Sequence, residues 1–170
     1  LDGGRCRLDR DMQVSLLAVS PSERQAGMDQ ANAIFDAITD ATALARLVDE
    51  RVQENLYLEF KTKKDSRTPE LDKSDSFQFS RALSGFANSD GGVLVWGVET
   101  DRHERARATK PIAQVVEFAA RLKKSMLNAV QPMVDGIVIE AIPDSLDPSS
   151  GFVRCLVPRS DKTDRKSTRL

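Results

Sequence analysis

The segment Glu54-Asn-Leu-Tyr-Leu-Glu-Phe-Lys61 decides the fold. Leu56, Leu58 and Phe60 recur at every second position, as on the buried face of a strand, which leaves Tyr57, Glu59 and Lys61 on the other face. Glu54 and Glu59 are five residues apart and would point to opposite faces of one unbroken strand. They converge only if the chain changes conformation between them. Asn55, a residue type that tolerates the left-handed region, is the expected break. Glu54 is then expected to end a helix, with Glu59 on the strand that follows.

Working outward, helical spacing holds from Asp29 onward, through Ile34, Phe35 and Ile38 and then Leu44, Leu47, Val48 and Val52, with Asp40 as the N-cap of the second helix. Residues 1–28 are expected as a loosely ordered arm or the remnant of something upstream, since the chain starts at Leu1 and Met12 or Met28 could be a native start. Downstream, Thr62 to Ser76 is polar, holds Pro69 and reads as a long loop. Phe79, Ala82, Leu83, Phe86 and Ala87 form a helical stripe that ends in Asn88-Ser89-Asp90-Gly91-Gly92, where glycine permits positive φ. Val93 to Val98 is a nearly continuous apolar strand of the kind buried in mid-sheet.

Thr100–Lys110 is charged and irregular. Ile112, Val115, Val116, Ala119, Leu122 and Met126 trace an amphipathic helix that stops near Pro132. Gly136–Ile142 and Phe152–Val157 are two closing strands. The order is α-β-α-β-α-β-β, a layered α/β (α+β) domain over residues 29–160. Strands flanking a helix are expected parallel, and the last two are expected to pair as a hairpin.

The chain has 170 residues, 40% hydrophobic and 30% charged, with a net charge of −1. That is enough for one domain with a modest core, and it excludes a global basic field, so any nucleic-acid role rests on local patches. Cys6 and Cys155 are the only thiols, which points to a reducing cytoplasm and not to a disulfide scaffold. No apolar run is long enough for a membrane helix. His103 is the only histidine, so zinc ligation has no basis. The tail 161–170 ends in DRKSTRL, which resembles a translated sequencing adapter, and is set aside from function.

Glu54-x4-Glu59-Phe60-Lys61, followed by Phe86-Ala87-Asn88-Ser89-Asp90-Gly91-Gly92 and the apolar run to Gly97-Val98-Glu99, resembles the Schlafen AlbA-type DNA-binding domain family, also classed with divergent AAA-type domains. The resemblance covers about Ala43 to Pro158. It implies an Alba-like β-α-β-α-β-β core with an N-terminal helical segment, and binding of DNA or RNA, often within a bacterial regulator. In one branch two such lobes form a ribonuclease acting on structured RNA such as tRNA. The family's acidic site matches Glu54 and Glu59, with Glu99 the nearest third carboxylate and Asp101 the second. The family usually follows its Gly-Val strand with an acidic-Gly turn and another short strand; Thr100–Arg105 has no glycine.

Three converging carboxylates repel one another unless a cation lies between them, so Glu54, Glu59 and Glu99 are the expected ligands of Mg²⁺ or Mn²⁺ if the site is catalytic. Lys61, on the face of Glu59, is placed to hold a phosphate. Asn88, Asp90, Gly91 and Gly92 are the candidate phosphate loop behind the family's ATP-binding description; with no P-loop motif present, a helix-to-strand turn is the favoured reading of them and ATP binding the alternative. Lys61, Lys63, Lys64, Arg67, Arg102, Arg105, Arg107 and Lys110 are the candidate nucleic-acid contacts, since such a patch binds phosphates without reading sequence. A homodimer would double that surface.

Overall fold

The computed structural model describes residues 21–160 and 166–167, in which the chain runs α1 (Pro21–Ala37), α2 (Ala41–Asp49), β1 (Leu58–Lys61), α3 (Lys73–Asn88), β2 (Gly92–Trp96), β3 (Val98–Thr100), β4 (Ala106–Thr109), α4 (Val115–Ala129), β5 (Val130–Gln131), β6 (Val138–Pro143), β7 (Gly151–Val157) and β8 (Lys166–Ser167). The main sheet has the order β1-β2-β7-β6. β1 lies parallel to β2 across the α3 crossover, β7 is antiparallel to β2, and β6 and β7 form the closing hairpin. The mixed α/β class and the strand pairings follow the sequence expectation.

β2 is apolar throughout because helices cover both faces of its sheet. Val93 and Val95 pack with Leu58 and Phe60 under Phe35, Ile38 and Leu44 of the first two helices. Leu94 and Trp96 face the other way, against Phe79, Leu83 and Phe86 of α3 and Phe118 and Leu122 of α4. Trp96 meets Phe118 edge-on, with ring centroids 5.6 Å apart. Asp40 caps α2 by accepting from the Ala43 amide at 2.8 Å. Arg154 of β7 ties down the end of α1: its Nη1 donates to the carbonyls of Phe35 and Ile38 at 2.6 and 2.8 Å, and its guanidinium lies 4.1 Å from the Phe35 ring centre.

Several boundaries differ from the sequence reading. α1 begins at Pro21, so residues 21–28 are helical instead of a loose arm; residues 1–20, including Cys6, lie outside the described residues. α3 begins at Lys73 because Asp72 and Asp75 make a reciprocal capping box, which shortens the preceding loop. Ile112 lies ahead of α4 in a bridge to Gly151, and Val116 points outward. Of the tail set aside from function, Lys166–Ser167 pairs with β5, and the remainder lies outside the described residues.

The largest departure is the charged stretch after Val98, which forms an antiparallel β3–β4 hairpin with a register shift at Glu99/Thr100. Gly97, at φ +99°, turns the apolar strand out of the main sheet. A Cβ there would meet the Phe152 ring at 2.7 Å, so the bend requires glycine. Glu104, at φ +58°, takes the left-handed position that a glycine usually fills in such a turn.

Candidate nucleic-acid interface

Arg51, at φ +52°, ends α2 and redirects the chain. Residues 52–54 then run beside β4: Ala106 N–H donates to the Val52 carbonyl at 2.8 Å and Glu54 N–H to the Glu104 carbonyl at 2.9 Å. At Asn55 the chain reverses. The Asn55 side-chain oxygen accepts from the Tyr57 amide at 2.8 Å, and Asn55 and Leu58 exchange backbone bonds. The bend expected near Asn55 is present, with two corrections: the left-handed residue is Arg51, and Glu54 ends no helix. Leu56 sits on the turn 80% exposed, outside the buried face assigned to it.

The reversal folds Glu54 back over the outer edge of β1, where its carboxylate accepts from the Phe60 amide at 2.7 Å. An edge strand offers a row of unpaired amides, and this carboxylate covers one of them. Partial burial raises the Glu54 pKa above the ordinary 4.5; the Phe60 amide and Lys61 oppose that shift, and Glu59 and Glu104 add to it. Glu59 is ion-paired with Lys61. Glu54, Glu59 and Glu104 line an open depression of about 500 Å³ with Asn55, Leu56 and Leu58. Glu104 was missed from the sequence because only the hairpin brings it beside Glu54.

The other two expected acids are held elsewhere. Glu99 pairs across the hairpin with Lys110 at 3.9 Å, and Asp101 is enclosed by arginines. Among the described residues no group of three or more His, Cys, Asp or Glu side chains is arranged to hold a metal ion. Glu54, Glu59 and Glu99 therefore do not fit Mg²⁺ or Mn²⁺ as placed.

The β3–β4 turn gathers positive charge. Asp101, its side chain 13% exposed, accepts from Arg51 at 2.7 Å and from Arg105 at 3.0 Å. Its other oxygen accepts from the backbone amides of His103 and Arg105. Partial burial would raise its pKa, but those amides and the two guanidinium groups together hold it well below the usual carboxylate range. Arg102 sits at the tip, its Nε 3.1 Å from His103 Nε2. Along β4, Ala106 is buried and Arg107 is exposed, as strand alternation requires. Neither Arg102 nor Arg107 makes an ion pair among the described residues.

The remaining expected contacts are largely neutralised. Lys63 is removed from the surface set. It is 4% exposed, donates to the Asp65 carbonyl at 2.6 Å, lies 3.6 Å from the buried Asp75 carboxylate, and sits over the Phe118 ring. Lys64 pairs with Asp72 at 3.5 Å. Arg67 clasps Asp65 with two bonds and holds that carboxyl down to about 2. The Asn88–Gly92 segment is a helix-to-strand turn: Gly91 N–H donates to the Phe86 carbonyl, Asp90 pairs with Arg159 at 2.6 Å, and Gly91 and Gly92 are buried. Its glycines serve close packing, since a Cβ on Gly92 would run into the Phe86 ring.

The Schlafen, AlbA_2 family profile matches residues 54–167. The chain belongs to this family. The match takes in β1, the Phe86–Val98 segment and the hairpin whose turn lacks the glycine usual for Schlafen AlbA-type domains. The crystal structure of the DIP2311 protein from Corynebacterium diphtheriae is similar, with a TM-score of 0.52 and 19% identity over 84% of this chain and 27% of that one. At that identity the likeness is one of fold, and the chain spans about a quarter of the DIP2311 length. No curated protein matches the chain. No helix among the described residues is long and apolar enough to cross a membrane.

Proposed function

We propose that this Schlafen AlbA_2 domain binds nucleic acid through the β3–β4 hairpin, by phosphate contacts that do not read sequence. The observation that carries the reading is the grouping of Arg51, Arg102, Arg105 and Arg107 at one hairpin, where Asp101 serves as a shared anchor for two of them. Guanidinium groups offer paired donors that match two phosphate oxygens, and Asp101 orders the backbone that presents them. The chain carries a net charge of −1, so the attraction is local and sensitive to salt. The role that suits such a module is a helper domain within a cytoplasmic bacterial regulator.

Gel-shift assays with duplex DNA and with tRNA test this reading. The wild-type chain is expected to retard at least one of them at low salt, and Arg102→Ala/Arg107→Ala to do so at markedly higher protein concentration. Equal retardation by both proteins would overturn it.

A further inference from the structure

Helix α3 packs its buried stripe on β2 and α4 and leaves Lys73, Phe77, Arg81, Gly85 and Asn88 exposed on the opposite face. Phe77, Arg81 and Gly85 follow one another at four-residue spacing, so they form one ridge with about 6 Å of rise between neighbours. Phe77 leaves 45% of its surface in water, and Arg81 makes no ion pair among the described residues. A groove of about 260 Å³ runs between this ridge and the turn before β1. Arg81, Gly85 and Ser89 line one wall of it, and Leu56 and Glu59 line the other.

Gly85 is the residue that the fold does not explain. A glycine in a helix interior weakens the helix relative to alanine. A Cβ at Gly85 would meet nothing within 4 Å, and its backbone is ordinary helix, so neither packing nor conformation requires it. What the missing side chain does provide is close access from the groove to the helix surface, a use glycine has wherever a ligand approaches. Beside it, the free Arg81 guanidinium offers the paired donors that match a phosphate. One turn further, Phe77 offers an aromatic face on which a base can stack. Bases inside a duplex are already stacked and paired, so only an unpaired base can use that face. The one carboxylate lining the groove, Glu59, is ion-paired with Lys61. The groove also adjoins the hairpin turn, because the depression formed by Glu54 and Glu104 shares Leu56 and Glu59 with it.

We infer that the exposed face of α3 is a subsite for unpaired nucleotides of a nucleic-acid strand, with a base on Phe77, the adjoining phosphate on Arg81 and the next nucleotide in the groove over Gly85. The inference rests on the nucleic-acid-binding reading and narrows it. The arginine hairpin holds phosphates whatever the form of the strand, whereas this face takes only bases that are free of a duplex stack. The substrate class it selects is a single strand, or a structured nucleic acid with an unpaired segment.

The test is fluorescence anisotropy on the full chain with a labelled single-stranded oligonucleotide and with a duplex of the same length. Phe77→Ala and Arg81→Ala are each expected to weaken single-strand binding about five-fold or more and to leave duplex binding unchanged. Gly85→Leu places a better helix former in the helix and fills the groove, so it is expected to lose single-strand affinity while Tm is maintained or rises. Arg102→Ala/Arg107→Ala is expected to weaken binding of both forms, which separates the hairpin from this face. If the α3 variants bind the single strand as the wild type does, or lose both forms equally, the inference is overturned and the hairpin reading stands. A wild type that binds neither form overturns both.

Discussion

Arg51, which ends α2, and Asp101, which opens the β3–β4 turn, are joined at 2.7 Å across fifty residues of sequence. The contact anchors the hairpin tip to the helical layer and brings a fourth arginine to the charged turn. Replacing Asp101 separates charge from order. Asp101→Ala removes a negative charge, so a purely electrostatic surface would bind nucleic acid more tightly. With the tip loosened, the affinity is expected to fall several-fold instead. Faster hydrogen exchange at the His103 and Arg105 amides, which lose their acceptor, reports the loosening directly.

The buried Lys63–Asp75 pair is structural. Asp75→Asn leaves the Lys63 ammonium buried without its counter-charge and is expected to cost about 3–5 kcal/mol. Lys63→Met strands the buried Asp75 carboxylate in the same way, with only the Lys64 and Asp72 amides left as donors, and is expected to cost a similar amount. Its nucleic-acid affinity is expected to equal that of the wild type, since the side chain is out of solvent. Urea unfolding and an anisotropy titration on the same preparation check both halves.

Arg154 secures α1 to the sheet through two carbonyls, the Phe35 ring and Glu140. Arg154→Ala is expected to lower stability by about 2–4 kcal/mol, from the loss of charge-assisted hydrogen bonds and the ring contact. Arg154→Lys restores only part of this, because an ammonium cannot span all of those partners. The unfolding midpoint in urea is the measurement, with an unchanged slope showing that the loss is native-state.

Glu54 provides a pH signature. Its folded pKa lies above the ordinary 4.5, so ionisation is harder in the folded chain than in the unfolded one. Its contribution to stability is therefore greatest below 4.5 and declines as pH rises through the folded value. Glu54→Gln keeps an acceptor for the Phe60 amide and removes that decline. The stability difference between the variant and the wild type is expected to shift in favour of glutamine from pH 4.5 to neutrality. A difference that does not vary with pH would contradict it.

The central sheet was legible because its signals are local. Val93–Trp96 is apolar without interruption, Leu58 and Phe60 alternate with polar neighbours, and Phe79, Leu83 and Phe86 repeat at helical spacing. The hairpin was not legible, since β3 and β4 are three and four residues long with few apolar side chains, and Glu104 holds the position where glycine would have marked a turn. The acidic site was half legible. Glu54 and Glu59 do line one depression, but their neighbour is Glu104, brought there by the pairing of residues 52–54 with β4. Lys63 reads as a surface cation because Asp75, its partner, lies in a helix whose start is set by a capping box.

Fluorescence anisotropy of a labelled nucleic acid, titrated with the wild type and with Arg102→Ala/Arg107→Ala over a series of salt concentrations, tests the hairpin most directly. The logarithm of the wild-type affinity is expected to fall linearly with the logarithm of salt. The double variant is expected to bind more weakly, with a slope shallower by about one to two, roughly one per phosphate contact removed. A wild type that shows no binding at low salt, or two proteins with the same slope and affinity, would contradict a phosphate-binding role for the arginine hairpin.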